Sequence, residues 1–229
     1  MDLRTNTPPA VLPAGLTTLT WAVIDFEGLT PAGRPPEPIE VAAVSGRLTD
    51  AGTWVEAGRF TSLMRPPPEV SVTDRGVAMT GITREMLSQA PTAAEVMADL
   101  DGLFGDPPYR LVAHHAATEA TLIGGQRRHC PTLAAIPLIC TVKLARLLLP
   151  ELSSHKLDLV ARRLGLQIPA DRHRALPDVE LTLQVFIRLM VQGAQAGRWR
   201  NLLDLQAVGG VYVKSEARPA AGVRQSELF

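Results

Sequence analysis

The sequence predicts an α/β fold, and two observations carry that expectation. Three successive segments, residues 21–27, 38–48 and 53–64, have the Val, Ile, Ala and Phe patterning of strands, which implies an antiparallel start. Beyond residue 109 short apolar strand patterns alternate with helical ones, and that order implies parallel strands. With 229 residues and 46% hydrophobic content the chain can bury one sizeable core, so one domain plus a tail is expected.

Residues 1–15 are rich in Pro and Thr and read as a loose arm, which leaves 16–197 as the folded domain. The first strand ends in Asp25-Phe26-Glu27. Side chains alternate along a strand, so Asp25 and Glu27 leave on one face, and two like charges so close are best relieved by a hard divalent cation such as Mg²⁺ or Mn²⁺. Residues 28–38 hold two glycines and four prolines, a turn that continues neither helix nor central strand. Arg65-Pro66-Pro67-Pro68 closes the strand-rich part. Helices are expected over 83–88 and 92–104, the second with Ala94, Val96, Met97, Leu100 and Leu103 on its apolar face. A strand over 110–114, a helix over 117–129, a strand over 137–140 and helices over 141–149 and 153–164 follow.

The last helix, 175–195, carries Leu181, Val185 and Leu189 in one apolar stripe, and Asp178 falls in that stripe. A carboxylate there is costly to bury unless something positive meets it, although a helix N-terminus by itself also favours an acid. His173 lies five residues upstream, in the loop that enters the helix. A histidine beside metal-bound carboxylates has a pKa suited to accepting a proton near neutral pH.

Lys and Arg (23) balance Asp and Glu (23), so no overall basic excess advertises a nucleic-acid partner; a local patch would suffice. Cys130 and Cys140 are the only cysteines and fit a reducing compartment. The first 19 residues lack the apolar core of a signal peptide and no run reaches membrane-spanning length, so a soluble cytoplasmic protein is expected. A zinc site from His114, His115, His129 and Cys130 lacks the paired spacing of zinc ligands.

Between the two acidic ends lies Leu111-Val112-Ala113-His114-His115, a strand turning into a helix with Glu119 in its first turn. Asp25-x-Glu27 on the first strand, an acid one turn into the helix after Leu-Val-Ala-His, and His-Arg-Ala-Leu-Pro-Asp from His173 to Asp178 resemble the DEDDh exonucleases of the DnaQ-like family. Secondary matches are Ile39-Glu40, Thr80-Gly81-Ile82-Thr83 and Ser154-His155-Lys156-Leu157, and the resemblance covers residues 18–191. It implies an RNase H-like fold with a mixed five-stranded sheet flanked by helices, and 3′-to-5′ hydrolysis that releases nucleoside 5′-monophosphates. It also implies two Mg²⁺ or Mn²⁺ held by Asp25, Glu27, Glu119 and Asp178, with His173 as the base. Phe26, Gly28, Leu29, Thr80 and His115 are the implied substrate contacts. Glu119 departs from the family's usual Asp by one methylene, and Asp-Phe-Glu resembles the branch that processes RNA 3′ ends.

From residue 198 onward apolar periodicity fades, and 198–229 reads as a flexible tail. It closes on Gln225-Ser226-Glu227-Leu228-Phe229, which resembles the peptide by which bacterial polymerases and repair proteins hold the sliding clamp. Gln225, Leu228 and Phe229 would be the clamp contacts, and that would favour single-stranded DNA 3′ ends in repair or replication as the substrate. An RNA 3′-end-processing exoribonuclease and a nucleic-acid-binding module with weakened catalysis are the alternatives.

Overall fold

A computed structural model describes residues 11–105, 108–170 and 172–214. In chain order its elements are α1 (Ala14–Thr17), β1 (Thr20–Leu29), β2 (Glu37–Leu48), β3 (Trp54–Leu63), α2 (Asp74–Thr80), α3 (Arg84–Ser88), α4 (Ala93–Asp101), β4 (Tyr109–Ala113), α5 (Ala117–Gly125) and α6 (Pro131–Ala135). Then come β5 (Leu138–Cys140), α7 (Thr141–Leu148), α8 (Leu157–Arg163), α9 (Ala175–Gln195), α10 (Leu202–Gly209) and β6 (Gly210–Val211).

The strands form one mixed sheet in the order β3-β2-β1-β4-β5-β6. β1, β2 and β3 pair antiparallel, as expected from consecutive strand patterns, while β4 and β5 extend the sheet parallel to β1. Strand β1 is central, and Trp21, Ala22, Val23 and Ile24 are all fully buried because both faces of the sheet are covered. Trp21 and Val23 join Leu144, Val160, Phe186 and Trp199 in the core on one face. Ala22, Ile24 and Phe26 join Met97, Leu111, Ile123 and Leu133 on the other. Helix α9 lies on the first face, where the Trp21 and Phe186 rings meet at 5.2 Å.

The chain departs from the sequence expectations in several places. The sheet has six strands among the described residues, not five, because β6 pairs antiparallel with β5. Residues 198–214 do not trail as a tail: Trp199 is completely buried, its indole N–H donating to the Met190 carbonyl at 3.0 Å. Its ring lies so close to Gly193 that a Cβ there would sit 1.7 Å from it, so α9 admits Trp199 only where a side chain is missing. Leu12, assigned to the loose arm, is buried and its N–H donates to the Asp50 carbonyl. The helix expected over 117–129 stops at Gly125, and a separate α6 starts with Pro131 in its first turn. Helix α2, not anticipated, is capped by Thr73, whose hydroxyl accepts from Gly76 N–H at 3.1 Å. Gln225, Leu228 and Phe229 lie outside the described residues. Among the described residues no helix is long and apolar enough to cross a membrane.

Candidate active site

Four acidic side chains converge where β1 and β4 end and α5 and α9 begin. Strand β1 supplies Asp25 and Glu27, which extend the face that carries Trp21 and Val23, toward α9. The first turn of α9 supplies Asp178, and carboxylate oxygens of Asp25, Glu27 and Asp178 all lie within 4.8 Å of one another. Glu119 enters from the first turn of α5, buried to 3% exposure, and its Oε2 has no hydrogen-bond partner among the described residues.

The N-terminus of α9 is held in place by a fifth acid. Glu40 lies opposite Glu27 in the β1–β2 register. Its carboxylate accepts from Arg174 Nη2 at 2.6 Å and Nε at 3.0 Å, and from the Ala175 backbone N–H at 2.9 Å. A forked guanidinium pair and a capped helix start together set the position of Asp178, four residues after Arg174. The positive partner that a buried Asp178 requires is Arg172. Its guanidinium donates to Asp178 Oδ1 and, at 2.7 Å, to Asp158 Oδ1. Neither Arg172 nor the roles of Glu40 and Arg174 were expected. The available signal was the pair of arginines flanking His173, directly before a core-facing acid.

The electrostatics are those of an anion cluster short of positive charge. Burial pushes the Asp25 carboxyl well above its usual range, and Glu119 and Glu27 push it further, with Arg172 opposing. Burial and then Glu40 raise Glu27 to about 7, against Arg172 and Arg174. Glu119 is raised to about 8, by burial first and by Glu27, while a hydrogen bond from its own backbone works the other way. A site with an orphaned buried carboxylate oxygen, three acids in oxygen contact range and all-oxygen donors fits a hard divalent cation. It does not fit zinc on His114 and Cys130. His114 uses both ring nitrogens, Nδ1 with Thr141 Oγ1 at 2.8 Å and Nε2 with the His155 carbonyl at 2.9 Å, and burial lowers its pKa to about 4. Cys130 is likewise engaged inside the fold, its thiol donating to the Gln126 carbonyl at 3.3 Å.

The other residues implied by resemblance are divided by the structure. His173 is exposed, has a left-handed φ of 67°, makes no hydrogen bond with another described residue and is not part of the Asp25, Glu27 and Asp178 cluster. His115 is exposed with φ 65° and meets His114 edge-on at 5.7 Å. Gly28 is exposed at a bulge, where a Cβ would come within 3.3 Å of the Glu37 carbonyl. Three of the implied substrate contacts are engaged within the fold. Phe26 points away from the acids into the core with Ile24, because alternation sends it through the sheet, and it offers no stacking face. Leu29 packs with Ile39, Val70 and Ile82. Thr80 is occupied in the fold, its hydroxyl donating to the Gly76 carbonyl at 3.0 Å and accepting from Ile82 N–H at 3.1 Å.

These shifts set a stability profile. Glu27 and Glu119 keep their protons to about 7 and about 8 in the folded chain but lose them at their ordinary 4.5 when unfolded. Folded protein therefore binds more protons, and stability falls as pH rises through this range. His114 works oppositely, but only between about 4 and its ordinary 6.5. From pH 6.5 to 8 in chelator, thermal unfolding is thus expected to show a loss on the order of 1–3 kcal/mol, removed by millimolar Mn²⁺. A melting temperature that rises across this window would refute the assignment of Glu27 and Glu119 as buried protonated acids.

Comparison with known proteins places this geometry in context. The RNase_T (Exonuclease) family model matches residues 22–186. A DNA polymerase III PolC-type protein of Bacillus cereus is 30% identical over 182 residues, 78% of this chain but 12% of that protein. The chain thus spans about an eighth of the length of such relatives. Among solved structures, the nuclease domain of 3′hExo, a DEDDh family member, bound to rAMP, superposes with a TM-score of 0.64 at 20% identity, covering 80% of this chain and 96% of that one. Exonuclease X in complex with 5′ overhanging duplex DNA gives 0.57 at 25% identity, covering 82% and 99%.

Proposed function

Because this chain belongs to the RNase_T exonuclease family, we propose that it removes nucleoside 5′-monophosphates from nucleic-acid 3′ ends in a reaction that depends on divalent cations. The observation that carries the reading is the convergence of Asp25, Glu27, Glu119 and Asp178 on one site, where burial and mutual repulsion raise the carboxyls of Asp25, Glu27 and Glu119. Asp25, Glu27 and Asp178 would hold one Mg²⁺ or Mn²⁺, and Asp25 with Glu119 a second. Two such cations, when bound, lower the pKa of water and offset the charge that builds on the transferring phosphate.

The chain's own groups do the rest. The Glu40–Arg174 pair keeps the first turn of α9 against β2, so Asp178 meets Asp25 and Glu27 without reorganisation. Gly28 lets the terminal nucleotide approach the backbone of β1, where a Cβ would already crowd Glu37. His173, in the loop that enters α9, takes the proton of the attacking water on its ring nitrogen. His173→Ala is expected to lose about 10²-fold or more in rate while still binding strands. Turnover in the variant within a few-fold of the native enzyme would leave His173 outside catalysis.

Single-stranded DNA is the substrate we favour; the DNA polymerase relatives and the neighbour in complex with 5′ overhanging duplex DNA support DNA. Asp25-Phe26-Glu27 and the rAMP-bound neighbour favour RNA as the second reading. The terminal Gln225, Leu228 and Phe229 belong to the DNA reading as clamp contacts, on their resemblance alone. The deciding experiment uses 5′-labelled single strands of DNA and of RNA in Mn²⁺. A ladder that shortens from the 3′ end and stops on addition of EDTA is expected. Strands bound in Mn²⁺ but never shortened would establish a binding module instead.

A further inference from the structure

Beside the carboxylate centre lies a recess of about 500 Å³ whose lining includes His115, Arg146, Ser153, Ser154, His155 and Lys156. It is tied to the centre at two points. His115 directly follows His114 in the turn into α5, which carries Glu119, and His114 Nε2 pairs with the carbonyl of His155 in the recess wall. Lys156 precedes α8, whose Asp158 binds the same Arg172 that binds Asp178.

The charge of this recess is unusual for this chain. Formal charges cancel over the whole sequence, 23 against 23. Yet Arg146 and Lys156 are both exposed and have no acidic partner among the described residues. The two acids nearest in sequence are already taken, Glu151 by Arg163 at 2.7 Å and Asp158 by Arg172 at 2.7 Å. Two unpaired cations, two imidazoles and two serine hydroxyls in one concavity focus positive potential and offer hydrogen-bond donors. Besides these polar groups the lining holds only Val142, Pro150 and Leu152, with no acid to oppose a phosphate.

Resting on the exonuclease reading, we propose that this recess is a second phosphate-binding subsite, which holds backbone phosphodiesters of the single strand whose 3′ end lies among Asp25, Glu27, Glu119 and Asp178. Arg146 and Lys156 supply the charge, while Ser153, Ser154 and His115 orient the phosphate oxygens. The contacts ignore base identity, and the subsite makes the enzyme prefer strands long enough to reach it.

The test uses the full chain and its Arg146→Gln/Lys156→Gln double variant. In EDTA, where cleavage does not intervene, binding of labelled dT10 and U10 is followed against salt concentration. Each lost contact to a single strand is worth about 0.7 in the log–log slope, so the variant's slope is expected to be shallower by about 1.4, with affinity about tenfold weaker at 0.1 M salt. In Mn²⁺ the preference for dT10 over p-nitrophenyl thymidine 5′-phosphate, too short to reach the recess, should fall about tenfold in kcat/KM. Equal slope changes for both strands assign the subsite to the shared phosphodiester backbone; a change with one strand alone assigns it to that strand. Slopes indistinguishable between variant and native protein would overturn the proposal. A native protein that cleaves neither substrate yet shows the slope difference would overturn the exonuclease reading and leave the subsite standing.

Discussion

Asp25→Asn is expected to reduce Mn²⁺-dependent turnover by at least about 10³-fold while raising the melting temperature in chelator. Both effects come from one fact: Asp25 is a buried acid beside Glu119, Glu27 and Glu40, with Arg172 as its opposing charge. An amide of the same shape fills the same space but brings no charge to a cation, and several kcal/mol of transition-state stabilisation go with it, at about 1.4 kcal/mol per factor of ten. The folded state loses a group whose ionised form is disfavoured there, and so gains stability above the ordinary carboxylate pKa. Turnover on end-labelled strands and a thermal melt in EDTA read the two effects separately. A folded variant with turnover within tenfold of the native enzyme would remove Asp25 from the centre.

The second large effect is expected at Glu119. Glu119→Gln should lower activity by about 10²-fold or more and weaken Mn²⁺ binding by calorimetry, because a buried, partnerless carboxylate oxygen is the feature that gives α5 a role in the site. Glu119→Asp should retain activity within about tenfold. It withdraws the charge by one methylene and leaves a gap worth roughly 1 kcal/mol, but restores the side chain usual in the family. Charge therefore outweighs length at this position. Full activity in Glu119→Gln would remove Glu119 from the site.

Much of this was legible from residues taken alone. Period-two alternation put Asp25 and Glu27 on one face before any partner was known, and a stripe of Leu181, Val185 and Leu189 showed that Asp178 faces inward. Consecutive strand patterns followed by alternation predicted the antiparallel-then-parallel order that the sheet has. These features are local: a strand's alternation and a helix's 3.6-residue period are properties of a few neighbouring residues.

What the tertiary structure decided is what depends on residues far apart. Phe26 looked like a stacking ring beside two acids, and only the helices on the opposite face make it core. Residues 198–214 carry little periodicity of their own, and they are ordered because Trp199 finds the space left by Gly193 and β6 finds the edge of β5. Arg172 and Glu40, 132 positions apart in the numbering, both bear on Glu27, Glu40 raising its pKa and Arg172 lowering it, and no sequence period relates them. Periodicity thus determined which face each acid takes, while long-range packing and unscreened charge decided which groups share the site and in what protonation state.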